Sequence, residues 1–104
     1  MALERGLFNI TSATTTTLRT VLEESGGISS ISLANTHSST SVTVDVFLED
    51  EANNKSYIIK TDIPGATTLF LDQGLAYNGD RLSLKLTTSA GGLSTSTPLS
   101  VIIK

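Results

Sequence analysis

The side chains of this sequence that could do chemistry are few and far apart. His37 is the one histidine and there is no cysteine, which rules out disulfides and thiolate chemistry. A metal site needs three or four converging ligands and a nucleophile needs a base. His37 stands in the Thr/Ser run 36–40 with no carboxylate beside it, so it reads as a surface histidine. The serines and threonines include no Gly-x-Ser-x-Gly elbow that a hydrolase would use. Glu49, Asp50 and Glu51, with Asn53 and Asn54, offer oxygen ligands but not the alternating order of a calcium loop. They read as a solvated hairpin tip. Asp62, Asp72 and Asp80 fall at expected strand ends, where Asp forms turns through its own backbone. As paired carboxylates for glycoside chemistry they lack aromatic company, since the chain has two Tyr, three Phe and no Trp. Gly26-Gly27 and Gly91-Gly92 are followed by neither lysine nor a helical pattern, so they are turns and not phosphate cradles. Asn9-Ile10-Thr11 and Asn54-Lys55-Ser56 match the glycan-acceptor pattern, but with no basic and apolar leader at the start the match reads as coincidence. The expectation is a protein with no catalytic residues, no metal and no cofactor.

The elements that would position any other kind of site are strands. Along residues 41–49, Val42, Val44, Val46 and Leu48 fall on every second position, which places them on one side of a strand and Thr43, Asp45 and Glu49 on the other. Leu82, Leu84 and Leu86 repeat this pattern over residues 81–87, and the two rows are expected to face each other as halves of one interior. Shorter strands are expected at 7–10, 28–35, 55–61, 67–71 and 99–103. Residues 14–24 fit either a strand or a helix; four consecutive threonines favour the strand, and Glu23 and Glu24 are good helix formers. Turns are expected at Ser25-Gly26-Gly27 and Asn78-Gly79. At Ile63-Pro64-Gly65, proline would fix φ and glycine would accept a positive one. Tyr57 and Ile59 are expected to share a face, with Ile58 opposite. Phe47 and Phe70 each point away from the aliphatic side of their own strand.

Seven or eight short strands in 104 residues predict an all-β fold, a single antiparallel β-sandwich with jelly-roll or Greek-key connections. Residues 1–13 would be an N-terminal arm or first strand and 14–104 the sandwich. Hydrophobic residues make up 38% of the chain with Gly left out, and even with the eight Gly counted they stay at the low edge of the usual ~45–50%, while Ser and Thr supply roughly three residues in ten. Such a chain covers its outer faces with hydroxyls rather than charges. A net charge of −3 offers no field for a phosphate backbone or an anionic leaflet, so neither nucleic acid nor membrane is an expected partner. No apolar run approaches the ~20 residues that span a bilayer.

The order of these motifs resembles a small β-sandwich domain of tailed-bacteriophage virions, in particular those of cyanophages. The resemblance rests on the Thr-rich strand 14–22, the Gly26-Gly27 turn, residues 28–35 ending in Ala34-Asn35, and the Val-alternating 42–48. It continues through Tyr57-Ile58-Ile59-Lys60, the Ile63-Pro64 corner with Thr67-Thr68-Leu69, and Gly79-Asp80 followed by Leu82 and Leu84. The chain departs from that pattern at Val21-Leu22-Glu23-Glu24, where the family often has Val-Pro, and at Lys104, where it often has an acidic residue. The resemblance implies a non-enzymatic structural part of a phage virion, made in the host cytoplasm. The expected role is a capsid decoration protein bound in many copies to the shell, with a neck, tail or tail-fibre component as the alternative and a carbohydrate-binding attachment module as the second. Partners would be other virion proteins, such as the major capsid protein, and further copies of the chain. Contact is expected through Leu3, Leu7, Phe8, Phe47 and Phe70, and through an open edge at 99–103. A glycan-binding role would need Tyr57, Tyr77 and Phe47 exposed together.

Overall fold

A computed structural model of the chain describes residues 6–20, 28–72, 74, 75, 77, 79, 81–89 and 92–104. Eight strands follow one another: β1 (Leu7–Ile10), β2 (Thr15–Arg19), β3 (Ile31–Asn35), β4 (Val42–Glu49), β5 (Lys55–Ile63), β6 (Thr67–Leu71), β7 (Ser83–Ser89) and β8 (Leu99–Ile103). They form two antiparallel four-stranded sheets, β1-β8-β3-β6 (sheet I) and β2-β7-β4-β5 (sheet II). The pairs β1·β8, β2·β7, β3·β6 and β4·β5 nest inside one another, as if one long antiparallel ribbon had been rolled up. That connectivity is a jelly roll. The expected all-β sandwich is therefore observed, with no helix among the described residues.

The interior forms because alternation in the strands gives each sheet one aliphatic side. Sheet I contributes Ile10, Ile31, Leu33, Leu99, Val101 and Ile103, and sheet II contributes Leu18, Val42, Val44, Val46, Leu84 and Leu86, all buried in one cluster. Each such side chain is worth about 1.5–3 kcal/mol when fully withdrawn from water. The row on β7 does not face the row on β4, as the spacing suggested. Val46 lies beside Leu86 and Leu48 beside Leu84 within sheet II, and sheet I supplies the opposing half. Strand β7 also begins at Ser83, so Leu82 precedes it.

Two other expectations change. Val46 pairs with Ile59 but Phe47 pairs with Tyr57, so Ile58 is an extra residue that bulges out of register. Tyr57 and Ile59 consequently lie on opposite faces. At the corner between β5 and β6 the positive φ belongs to Ala66, at 58°, and not to Gly65. Gly65 is needed for a different reason: a Cβ there would lie 2.7 Å from the Ser39 backbone. The first half of the Thr-rich run is strand, as expected; Val21, Leu22 and the Ser25-Gly26-Gly27 turn lie outside the described residues, as do Asn78, Asp80 and Gly91.

Strand connections alternate between the two ends of the sandwich. At one end, the described residues of the β1–β2, β3–β4, β5–β6 and β7–β8 connections carry no Asp, Glu, Lys or Arg. A polar network fastens this end. Buried Asn35 donates through Nδ2 to the carbonyls of Thr40 (2.8 Å) and Ile63 (3.0 Å), and its Oδ1 accepts from the His37 amide at 3.2 Å. His37 Nδ1 accepts from the amides of Ser39 (3.1 Å) and Thr40 (3.0 Å), and the His37 carbonyl accepts from Ala66 N–H at 2.7 Å. At the other end lie the Asp50–Glu51 hairpin tip, Asp72 and Arg81.

Candidate functional site

Among the described residues the chemistry-bearing side chains do not converge. His37 is occupied as a loop fastener, as above, with its ring against Gly92, where any Cβ would collide with it. The carboxylate of Asp50 accepts from the amides of Ala52 and Asn54, each at 2.9 Å, and from Asn54 Nδ2 at 3.1 Å. These contacts, foremost that from the Asn54 backbone and then its side chain, hold the Asp50 carboxyl below its ordinary pKa. The residue shapes the β4–β5 hairpin rather than a cation site. Among the described residues no group of three or more His, Asp or Glu side chains could hold a metal ion. A shallow opening of about 390 Å³ is lined by Asp50, Glu51 and Arg81, with the Asp50 carboxylate already taken up by the hairpin amides. A second, of about 250 Å³, is an apolar notch lined by Ile28, Ile31, Ile58, Leu71 and Leu75.

What the topology does assemble is two outward sheet faces of contrasting character. On sheet II, outward positions fall into rows that alternate aromatic and charged groups. Phe47 lies between Lys85 and Tyr57, and Asp45 lies between Thr87 and Lys60. Lys60 Nζ reaches Asp45 at 3.2 Å and sits 4.8 Å above the Tyr57 ring; Lys85 pairs with Glu49. Phe47 is tilted against Tyr57 with centroids 5.5 Å apart and has Lys55 Nζ over it at 5.1 Å. It is only 2% exposed, although it stands apart from the aliphatic core cluster. Its ring is sealed by the chain's own Tyr and Lys side chains, which lay their stems over it.

On sheet I, register places Leu7, Ile102, Ser32 and Phe70 in one row across all four strands. The next row is Asn9, Ser100, Ala34 and Thr68. None of these eight residues is charged. Leu7, Phe70 and Ile102 are 56%, 58% and 39% exposed, while the small residues between them lie lower. Only one side-chain hydrogen bond is found within these rows, from Ser100 Oγ to Asn9 Oδ1 at 2.8 Å.

The edges follow the same division. Strands β1 and β6, the edges of sheet I, contain no charged residue, no proline and no bulge. On sheet II, β5 carries Lys55, Lys60, Asp62 and the Ile58 bulge, and β2 carries Arg19 and a break in register at Leu18. Charge and bulges on an edge strand are the usual defences against unintended pairing. Sheet II has them and sheet I does not.

Of the residues expected to make contacts, Leu7 and Phe70 share the exposed row, and Leu3 lies outside the described residues. Two are corrected. Phe8 faces inward, half-buried against the core, because it alternates with Leu7. Phe47 faces outward but is covered from within the chain. Strand β8 is not an edge, since it lies between β1 and β3. Ile102, Ser32 and Ala34 were missed; the signal that could have found them is the absence of charge at the outward positions of four separate strands. Tyr57, Tyr77 and Phe47 form no shared exposed platform, because Phe47 is buried and Tyr77 half-buried, leaving Tyr57 alone exposed, at 51%. Comparison with protein-family models, with curated proteins and with solved structures gave no match to this chain.

Proposed function

We propose that this chain is a non-enzymatic structural component of a phage virion, a decoration protein that binds the capsid shell in many copies. One observation carries the reading: sheet I presents two charge-free rows with apolar side chains raised at both sides and edge strands without charge or bulge, while sheet II covers Phe47, carries charge and bulges on its edges, and leaves Tyr57 as its one exposed large apolar side chain among the described residues. Contact surfaces that exclude charge from their centre suit protein partners, and an unpaired buried charge would be costly there. A face this small binds weakly on its own, and repetition on a shell multiplies a weak contact by avidity. The phage setting rests on the resemblance of the motif order, and jelly rolls recur among virion shell domains, which is an analogy of fold rather than of site.

The test is quantitative mass spectrometry on purified particles of the phage that encodes the chain. Hundreds of copies per particle are expected. A count of six or twelve would move the protein to the neck or tail, and its absence from the particle would end the proposal.

A further inference from the structure

We infer that the outward face of sheet I is self-complementary and that it pairs with a second copy of this chain about a two-fold axis running along the strands. The inference deepens the assembly role proposed above and rests on it only for its biological setting: it gives the face of sheet I to a second copy and leaves the edge strands β1 and β6 for the shell. Its basis is the order of side chains in the two rows. A two-fold between β8 and β3, parallel to them, lays β1 of one copy over β6 of the other and β8 over β3. Leu7 then meets Phe70, and Ile102 meets Ser32, so that a raised apolar group faces another or drops over a small one. In the adjacent row Asn9 meets Thr68 and Ser100 meets Ala34. No charge is trapped anywhere in either row, and each contact occurs twice, as an isologous interface requires. Facing sheets pack in this way at about 10 Å with their strands nearly aligned.

Size sets the strength. Strands about 4.8 Å apart with a rise near 3.3 Å per residue give this face roughly 300 Å² per copy. The pair therefore buries about 600 Å², short of the ~1,000 Å² that a lasting interface clears. The dimer is accordingly weak, with a dissociation constant of ~0.1–1 mM, and it becomes persistent only where copies are already held side by side. No charged residue lies in these rows, and each copy carries a net charge of −3. Added salt therefore screens repulsion between copies without weakening their contact.

The experiment is a concentration series of the purified full chain from ~0.05 to ~2 mM, followed by NMR diffusion and amide shifts, across the range where the estimated constant lies. Expected are slower diffusion at high concentration, shifts clustered at Leu7, Ser32, Phe70 and Ile102, and unchanged or stronger association in high salt. Ser32→Lys, which would bury an unpaired charge at the centre, and Phe70→Lys are each expected to raise the dissociation constant at least ~10-fold while the chain stays folded. A spin label at Thr68→Cys on one copy is expected to broaden Asn9 of an isotope-labelled second copy. Three results overturn the inference: diffusion that does not change up to the highest concentration, shifts that map to sheet II, or undiminished pairing by Ser32→Lys. Broadening centred on Thr68 rather than Asn9 overturns the two-fold. None of these bears on whether the protein is found in particles, so this failure and failure of the proposed function are distinguishable.

Discussion

Phe47 on sheet II and Phe70 on sheet I both point away from the shared interior, yet Phe47 is 2% exposed and Phe70 58%. The backbone is the same kind of antiparallel strand in both cases, so the difference lies in the neighbours. Phe47 has Lys85 and Tyr57 beside it in register and Lys55 above it, long side chains that fold down over a ring. Phe70 has Ser32 beside it and no described strand beyond, because β6 is an edge. A sheet face flanked by long amphipathic residues completes itself, whereas one flanked by small residues leaves its apolar groups for another surface. The contrast between a finished face and an unfinished one is the observation on which the proposed role rests.

The sharpest way to break the comparison is to truncate both rings. Phe47→Ala is expected to cost about 3 kcal/mol, the loss typical of a buried ring, and Phe70→Ala to stay within ~0.5 kcal/mol, as exposed substitutions do. Urea melts of dilute protein would read both; equal costs would show that the two faces are not differently finished.

The next effect concerns the corner where the chain passes from sheet II to sheet I. Gly65→Ala places a Cβ against the Ser39 backbone and is expected to cost about 1–3 kcal/mol, in the range of overpacking. Ala66→Gly, at the residue with the positive φ, is expected to cost nothing. The reverse ranking would mean that turn conformation, not close approach, governs the corner.

His37→Ala leaves the Ser39 and Thr40 amides without their acceptor. The expected loss is about 1 kcal/mol, that of an ordinary hydrogen bond partly replaced by water, and His37→Asn should recover part of it. Thermal melts that do not separate His37→Ala from the wild type would remove the histidine from the fastening network.

The smallest effect is at the acidic end. Because the folded state lowers the pKa of Asp50, the contribution of its carboxylate is present above the ordinary carboxylate range and is lost as pH falls through the folded value. Amide shifts of Ala52 and Asn54 should titrate there in the wild type and stay flat in Asp50→Asn. Titration that persists in the variant would assign the effect to another group.

Much of the fold was legible because alternation is a local property. Leu7–Ile10, Thr67–Leu71 and Leu99–Ile103 have the bounds the pattern implied, and Phe70 points outward as its position suggested. Pairing is not local. Val42, Val44 and Val46 announce which side of β4 is apolar, but nothing in that alternation says that Leu84 and Leu86 lie alongside rather than across. Nor does it say that β8 is inserted between β1 and β3. The bulge at Ile58 was hidden because Ile58 and Ile59 are equally apolar, so the sequence carries no mark of which one is displaced. The site was half legible: Leu7 and Phe70 were visible as outward apolar residues, but the row that joins them exists only once four strands from distant parts of the chain lie side by side.

The nested pairing has a kinetic consequence. Only β4 and β5 are partners separated by a tight turn, so that hairpin is the one piece that can assemble early during synthesis. Sheet I must wait for β8, because without it β1 has no neighbour and β3 is paired on one side only. Topologies dominated by such distant partners fold on the order of milliseconds to seconds. Until β8 emerges, the aliphatic sides of β1 and β3 stand in water, and the nascent chain is at its most adhesive just before that strand joins the sheet.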